Sequence, residues 1–320
     1  MDRFEASGWC YSGNPLIMKK VVALGKVDVD LVSETLGDQI QLITEPSESD
    51  LRVASGAIVR ANFTVDADMF AKMPNLKVLA RTGVGTERVD LAIASSRGIP
   101  VVVTPGSNTN AVAEGALAMA LHLSKRLATL TRLVAGGRWN DRDQFPLGDI
   151  EGSTFGILGF GRIGKQLAKI VESMGAEVLA FDPYAEVPEH QKVHSIEELL
   201  SRSNFVSLHA PLTTENHHLI QENTLALMQQ GAILINCSRG PLVNLDDALD
   251  ALNSGKLGGL GLDVFDEEPA VFHPIFKHEN VVLTPHVMGL SKKAAAQTFI
   301  DASQGVRDVL EGRQAKATAY

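Results

Sequence analysis

The chain has 320 residues, 45% of them hydrophobic and 21% charged, with a formal net charge of −9. That length allows about two domains, and that balance belongs to a globular chain able to bury a core without disulfides or metals. The acidity argues against a nucleic-acid or anionic membrane partner, since either favours a basic patch. The two cysteines, Cys10 and Cys237, are too few for a disulfide framework, so a cytoplasmic location is expected. Neither has a C-x-x-C neighbour, so no metal is expected.

The first 18 residues mix acids, Gly and Pro and lack the apolar run of a secretion signal. Met18-Lys19-Lys20 offers a second plausible start, which would make the leading segment an extension. From Val21 onward, short apolar runs alternate with helical stretches. Val21–Leu24, Ala57–Val59, Lys77–Ala80 and Val101–Val103 read as buried strands, and Asp66–Met73 and Asp90–Ser96 as helices. Alternation of this kind predicts a parallel sheet covered by helices. Pro105-Gly106-Ser107-Asn108 reads as a loop between domains.

The next segment, Ala111–Leu121, is apolar on nearly every side, which predicts a helix buried inside a domain or in a subunit interface. Its small residues permit close contact across a homodimer, and a helix over 111–134 is the expected contact. A second series follows, with strands at Gly156–Leu158, Glu177–Phe181, Phe205–Leu208, Ala232–Ile235, Leu260–Leu262 and Val281–Leu283. The tail, Ser291–Glu311, reads as one helix that packs back on the first domain. The fold class is therefore α/β, with two doubly wound parallel-sheet domains.

Gly159-Phe160-Gly161-Arg162-Ile163-Gly164 follows a strand and opens a helix. Gly159 permits the tight turn, Gly161 leaves room for a diphosphate, and Gly164 lets helix and strand approach. The helix start then offers unpaired N–H groups to the diphosphate. Asp182 closes the next strand, about twenty residues on, where a carboxylate accepts from ribose hydroxyls and repels a 2′-phosphate. No Lys or Arg follows within Pro183–Val187, so NAD is favoured over NADP.

Three further strand ends carry groups suited to hydride chemistry on a hydroxyl carbon: a base, a cation and a partner for the base. They are Asn236-Cys237-Ser238-Arg239-Gly240, Asp263-Val264-Phe265-Asp266-Glu267-Glu268-Pro269 and Thr284-Pro285-His286. With the glycine loop and His209-Ala210-Pro211-Leu212, these motifs resemble the D-isomer-specific 2-hydroxyacid dehydrogenases, over nearly the whole chain from Val21 to Glu311.

The resemblance implies a Rossmann-type NAD domain, 106–286, inserted into a flavodoxin-like substrate domain, 1–105 with 287–320. It implies NAD-dependent hydride transfer at C2 of a small D-2-hydroxy acid or 2-keto acid. His286 is then the acid/base, Glu268 its partner, and Arg239 the holder of the substrate carboxylate and carbonyl. Gly161, Arg162 and Ile163 lie against the diphosphate and Asp182 on the ribose. Ala210 and Pro211 line the adenosine side, while Cys237 and Ser238 line the ribose and nicotinamide side. Asp263 faces the carboxamide and Gly289 the ring, with Arg239 and His286 also near the cofactor. His209 is structural.

On the substrate side, Arg81-Thr82-Gly83-Val84-Gly85 resembles the family loop whose amides grip a carboxylate, and Gly83, Val84 and Gly85 are its candidates. Arg60 stands where phosphoglycerate dehydrogenases carry an arginine for a distal anion, so a second anionic group, as in 3-phosphoglycerate, fits. Asn108 and Asn110 are placed to position substrate or to hinge, and the two-crossing layout implies closure over the ligand. A formate-specific relative would pair the histidine with glutamine, and Glu268 argues against it. An NAD-sensing partner-binding protein of the same fold remains the alternative, since it keeps the same motifs.

Overall fold

The computed structural model describes residues 18–60 and 62–320. Cys10 and the leading segment fall outside the described residues. The chain divides into two compact units, one of residues up to Ser107 with Ala296–Tyr320, the other Asn108–Ala295.

In chain order, the first unit holds β1 (Lys19–Leu24), α1 (Val29–Leu36), β2 (Ile40–Thr44) and α2 (Glu48–Val53). It continues with β3 (Gly56–Val59), α3 (Ala67–Lys72), β4 (Val78–Arg81), α4 (Leu91–Ser96) and β5 (Val101–Val102). Each of the four helices starts on a side-chain cap: Asp28, Ser47, Asp66 and Asp90 accept from Leu31, Asp50, Met69 and Ile93 N–H. Such caps satisfy donors the helix cannot. The strands form an all-parallel sheet in the order β2-β1-β3-β4-β5. This flavodoxin-like order reverses between β1 and β3, where open sheets bind ligands. Strand β2 was absent from the sequence reading. It is an edge strand in which only Ile40 is buried and Gln41 is exposed, so its hydrophobic signal is weak.

The second unit holds α5 (Thr109–Ser124), α6 (Leu127–Ala135), β6 (Thr154–Leu158), α7 (Arg162–Ser173), β7 (Glu177–Phe181) and α8 (Ile196–Arg202). It continues with β8 (Phe205–Leu208), α9 (Glu222–Leu227), β9 (Ala232–Asn236), α10 (Leu245–Asn253), β10 (Leu257–Leu262) and β11 (Val281–Leu283). Its parallel sheet has six strands in the order β11-β10-β9-β8-β6-β7. Counted from β6, that is 2-1-3-4-5-6, which differs from the 3-2-1-4-5-6 order of the dinucleotide fold. The outer edge of β7 accounts for this. Ala180 exchanges backbone hydrogen bonds with Gln191 and Val193, so a connecting segment occupies the place of another strand. The switch point lies between β6 and β8. There Phe155 and Phe205, paired in register, stack at 5.3 Å, a contact worth about 0.5–1.5 kcal/mol beyond its burial.

Two expectations need correction. The 111–134 segment is two helices, because Lys125 caps α5 and Arg126 takes φ 49 before α6. Helix α5 is also not buried all round: it turns Val112, Ala113, Gly115, Ala116, Met119, Ala120 and Leu123 inward, while Glu114 and Ala118 are exposed. Alanine is small enough to read as core on either side.

The last helix, α11 (Lys292–Leu310), starts in the second unit and crosses to the first at Ala296. Its stripe of Phe299, Ala302, Val306 and Leu310 packs with Val21 and Ile58 on the first sheet. The crossing falls nine residues beyond the expected 286/287. Residues 287 and 288 stay with the second unit because their amides donate to Asp263. No described helix is long and apolar enough to cross a membrane, and no group of three or more metal-ligating side chains occurs among the described residues.

Candidate active site

The glycine loop stands at the carboxyl end of β6, at the switch point. Gly159 has φ 97, and a Cβ there would lie 2.5 Å from Ala210 N. A Cβ on Gly164 would lie 2.2 Å from the Gly159 carbonyl oxygen. Both positions therefore require glycine. Gly161 differs: a Cβ there meets nothing within 4 Å, so the space in front of it is open. It caps α7 without any side-chain bond, and the first amides, on Arg162 and Ile163, begin the helix. An open space facing a bare helix start suits a diphosphate.

Asp182 ends β7 and is already engaged. Its carboxylate accepts from Phe160 N–H at 2.7 Å, Tyr184 N–H at 2.8 Å and Ala185 N–H at 2.9 Å. Burial pushes this carboxyl up, but the three amide bonds outweigh it and hold the group below its ordinary value. The carboxylate thus stays charged and fixed against the glycine loop. A cavity of about 620 Å³ opens beside it, lined by Tyr184, Val187, Lys192 and His194 among others.

On β8, Ser207 Oγ and His209 Nε2 lie 2.9 Å apart, and burial holds the imidazole down at about 4. Its Nδ1 is buried without a hydrogen-bond partner. Ala210 follows, and its carbonyl accepts from Ser238 Oγ. The Ser238 hydroxyl is thereby committed to bridging the ends of β8 and β9. Pro211 in turn gives its carbonyl to Asn216 Nδ2 at 2.7 Å.

The remaining groups stand at the ends of three neighbouring strands, β9, β10 and β11. Their backbones are laddered: Asp263 N–H donates to Asn236 O at 3.0 Å, and His286 N–H to Asp263 O at 2.8 Å. His286 Nδ1 lies 2.8 Å from Glu268 Oε2, with the imidazole half-exposed. Glu268 Oε1 accepts from Phe265 N–H at 3.3 Å. His286 has φ 54, a left-handed conformation that costs a non-glycine residue about 1–3 kcal/mol and persists only where the surroundings impose it. Arg239 donates from Nη1 to the Ser238 carbonyl.

Asp263 imposes much of that conformation. It is 2% exposed. Its Oδ1 accepts from Thr284 Oγ1 at 2.6 Å and Val287 N–H at 2.9 Å, and its Oδ2 from Met288 N–H at 3.1 Å. The carboxylate expected to face a carboxamide braces the turn that carries His286. Cys237 is partly buried and packs against Met119, with sulfurs 4.0 Å apart. Burial, with the Asp263 charge adding, pushes its thiol up to about 12. Gly289 is pressed on Asn108, whose Nδ2 would lie 2.8 Å from a Cβ there.

In the first unit, Arg60 follows β3 at the β1/β3 switch point. Gly25 makes room for it, since a Cβ there would lie 2.8 Å from Arg60 Cγ. The guanidinium lies over the Phe299 ring at 5.3 Å and is half-buried, which lowers its pKa. Gly83 has φ 143, and Val84 is 51% exposed. Gly83 N–H is spent on the Arg81 carbonyl at 3.0 Å, which leaves the Val84 and Gly85 amides of this loop without a backbone partner among the described residues. Arg81 Nε donates to the Gly85 carbonyl at 2.9 Å.

Residues 117–288, more than half of the chain, match the family model described as D-isomer specific 2-hydroxyacid dehydrogenase, NAD binding domain. The chain belongs to this family. Its cofactor is NAD, and the open Gly161 cradle and the fixed Asp182 carboxylate suit that group. Among its relatives is D-3-phosphoglycerate dehydrogenase of Mycobacterium leprae, 37% identical over 287 residues, which are 87% of this chain and 54% of the relative. The chain thus spans about half the length of such phosphoglycerate dehydrogenase relatives. Hydroxypyruvate reductase of Blautia hydrogenotrophica is 32% identical over 316 residues, covering 95% of each chain. Among solved structures, D-lactate dehydrogenase from Aquifex aeolicus, complexed with NAD and lactic acid, matches with TM-score 0.80 and 28% identity, over 92% of this chain and 96% of its own.

Two residues of this family member that shape the turns of the site are not among the sequence expectations. Asn236 is fully buried. It accepts from Ser238 N–H at 3.0 Å and donates to the Arg239 carbonyl at 2.7 Å, which shapes the arginine turn. An Asn closing an apolar strand before Ser-Arg-Gly is a turn signal that could have marked it. Gly240 touches the neighbouring loop so closely that a Cβ would lie 2.0 Å from the Phe265 carbonyl carbon. It packs against the residue whose amide holds Glu268. That role depends on a partner 25 residues away and leaves no local mark.

Proposed function

We propose that this chain is an NAD-dependent oxidoreductase acting between a small D-2-hydroxy acid and its 2-keto acid. The observation that carries the reading is the 2.8 Å contact of His286 Nδ1 with Glu268 Oε2 at the carboxyl end of the sheet. Because Nδ1 is engaged, Nε2 is the atom left for the substrate oxygen. In oxidation it takes the C2 hydroxyl proton, and in reduction it returns one to the carbonyl oxygen. Glu268 fixes the orientation of the ring through that contact. Arg239 pairs with the substrate carboxylate through its planar fork. The amides of Val84 and Gly85 suit a carboxylate.

Bound NAD supplies the hydride acceptor for oxidation, and NADH the donor for reduction. The Gly161–Ile163 helix start would hold its diphosphate and Asp182 its ribose. Ala210 and Pro211 would border the adenosine side. Cys237 and Ser238 would lie toward the ribose and nicotinamide, Gly289 toward the ring, and Asp263 would act through the turn it braces.

The substrate carries a second anionic group, as 3-phosphoglycerate does, and Arg60 takes it. Support comes from the half-buried guanidinium, which has no carboxylate partner among the described residues. The protein works as a homodimer in the cytoplasm. The 127–147 segment supports the dimer, since it leaves Leu127, Val134, Trp139 and Leu147 exposed.

The test mixes protein and NADH with glyoxylate, pyruvate, hydroxypyruvate and its 3-phosphate and follows loss of NADH absorbance. Turnover of at least one supports the activity, and silence on all four refutes it. Arg60→Ala should raise the Michaelis constant for the phosphorylated acid at least tenfold more than for pyruvate. Equal effects would remove the second anion. Light scattering in line with size exclusion reads the dimer.

A further inference from the structure

Gly115 lies in the interior of α5, where glycine is disfavoured relative to alanine. The structure supplies a reason. A Cβ at Gly115 would lie 2.3 Å from Met288 Sδ, 2.7 Å from its Cγ and 2.8 Å from its Cβ. The Met288 side chain therefore occupies the space that any other residue at 115 would need. Met288 packs on the cluster formed by Ala113, Ala116, Met119 and Ala120 of the same helix.

Met288 is two residues past His286, in the turn braced by Asp263. Val287 and Met288 give their amides to the Asp263 carboxylate at 2.9 and 3.1 Å. His286 itself is held at φ 54. All of these bonds run to one residue, Asp263 at the end of β10, so they hold the turn from that side. The side chain seated on α5 supplies the second point of attachment.

We propose that Gly115 and Met288 form a notch and plug, and that both are positioning residues for the acid/base His286. The inference rests on the role of His286 proposed above. Its chemical content is mechanical. The plug sets the height of the turn, so the imidazole presents Nε2 to the substrate oxygen at hydrogen-bonding distance. A shift of about 1 Å in such a group can cost about a hundredfold in rate.

A double-mutant cycle tests this, using Gly115→Ala, Met288→Ala and the pair together. Gly115→Ala should lower kcat by about tenfold or more while NADH affinity changes less than about twofold. Met288→Ala should cost a comparable amount, and the pair should lose no more than the larger single loss, because all three variants break the same contact. Hydrogen exchange gives a readout independent of turnover: the amides of residues 287 and 288 should exchange faster in each single variant and no faster in the pair. If Gly115→Ala keeps wild-type kcat and protection, or if the pair shows the product of the two single losses, the notch and plug is wrong. His286→Asn serves as the separate control. Full turnover by that variant would overturn the acid/base role and leave the exchange cycle to decide the notch.

Discussion

His209 offers a quantitative check on how the switch point is built. Burial holds its imidazole at about 4, against 6.5 for an exposed histidine. The residue keeps some surface, but Nδ1 is buried without a partner, and Nε2 is 2.9 Å from Ser207 Oγ. Because the folded-state value is depressed, the unfolded chain binds a proton between pH 6.5 and 4 that the folded chain refuses. The stability this residue permits is therefore complete above 6.5 and falls as the pH drops toward 4. At about 1.4 kcal/mol per pH unit, the full loss approaches about 3 kcal/mol, and roughly 2 kcal/mol of it is gone by pH 5. His209→Asn removes the titration and keeps a polar partner for Ser207. Native-state hydrogen exchange of β6 and β8 amides, compared at pH 7 and pH 5, reads the opening free energies. The wild type should lose about 2 kcal/mol more than the variant over that interval. An equal loss in both proteins would refute the argument that burial keeps this histidine neutral.

The other expectations concern the chemistry and its supports. Glu268→Gln removes the carboxylate that faces His286 Nδ1, so kcat for keto-acid reduction should fall about tenfold or more; an unchanged kcat takes Glu268 out of the mechanism. Gly240→Ala forces a methyl group into the Phe265 backbone and should cost about 1–3 kcal/mol of stability, read by urea unfolding. In the same variant kcat should fall more than NADH affinity, and an undisturbed kcat would show that the contact does not transmit to Glu268. Cys237, its thiol pushed up to about 12, should react with a thiol reagent at pH 8 at least tenfold slower than free cysteine in a Cys10→Ser background. Labelling at the free rate would contradict the packing against Met119.

The inner strands of the second unit were legible because they are buried on both faces, as the runs Phe205–Leu208 and Ala232–Ile235 are. Glu177–Phe181, Phe205–Leu208 and Val281–Leu283 coincide with β7, β8 and β11. The misses share one cause, which is that hydrophobic pattern records burial and little else. Edge strand β2 buries too few side chains to stand out. The break at Arg126 is a matter of backbone conformation that an arginine rarely signals. The strand order depends on what covers the edge of β7, and Gln191 and Val193 carry no mark of that. At the candidate site, His286 was readable from its imidazole and the glycine loop from its spacing after a strand, while Glu268 was told from Glu267 only by the family resemblance. Asn236, Gly240 and the bracing role of Asp263 were not readable, since each works through a neighbour that only the folded chain supplies.

The strand order also explains how one sheet can serve two kinds of chemistry. From the switch point outward, β6, β7 and β8 end in the glycine loop, Asp182 and His209-Ala210, a side built for a diphosphate and a ribose. On the same edge, β9, β10 and β11 end in Arg239, Glu268 and His286, a side built for a carboxylate and a proton. The seam between them is the Ser238 hydroxyl on the Ala210 carbonyl. Register then passes outward through backbone bonds from Asn236 to Asp263 to His286. An open sheet twists, so side chains on separate strand ends hold a fixed relation only if each end is tied to the next. The three ties lie on adjacent strands and converge on buried groups. That is why the two halves can differ in chemistry and still keep one geometry.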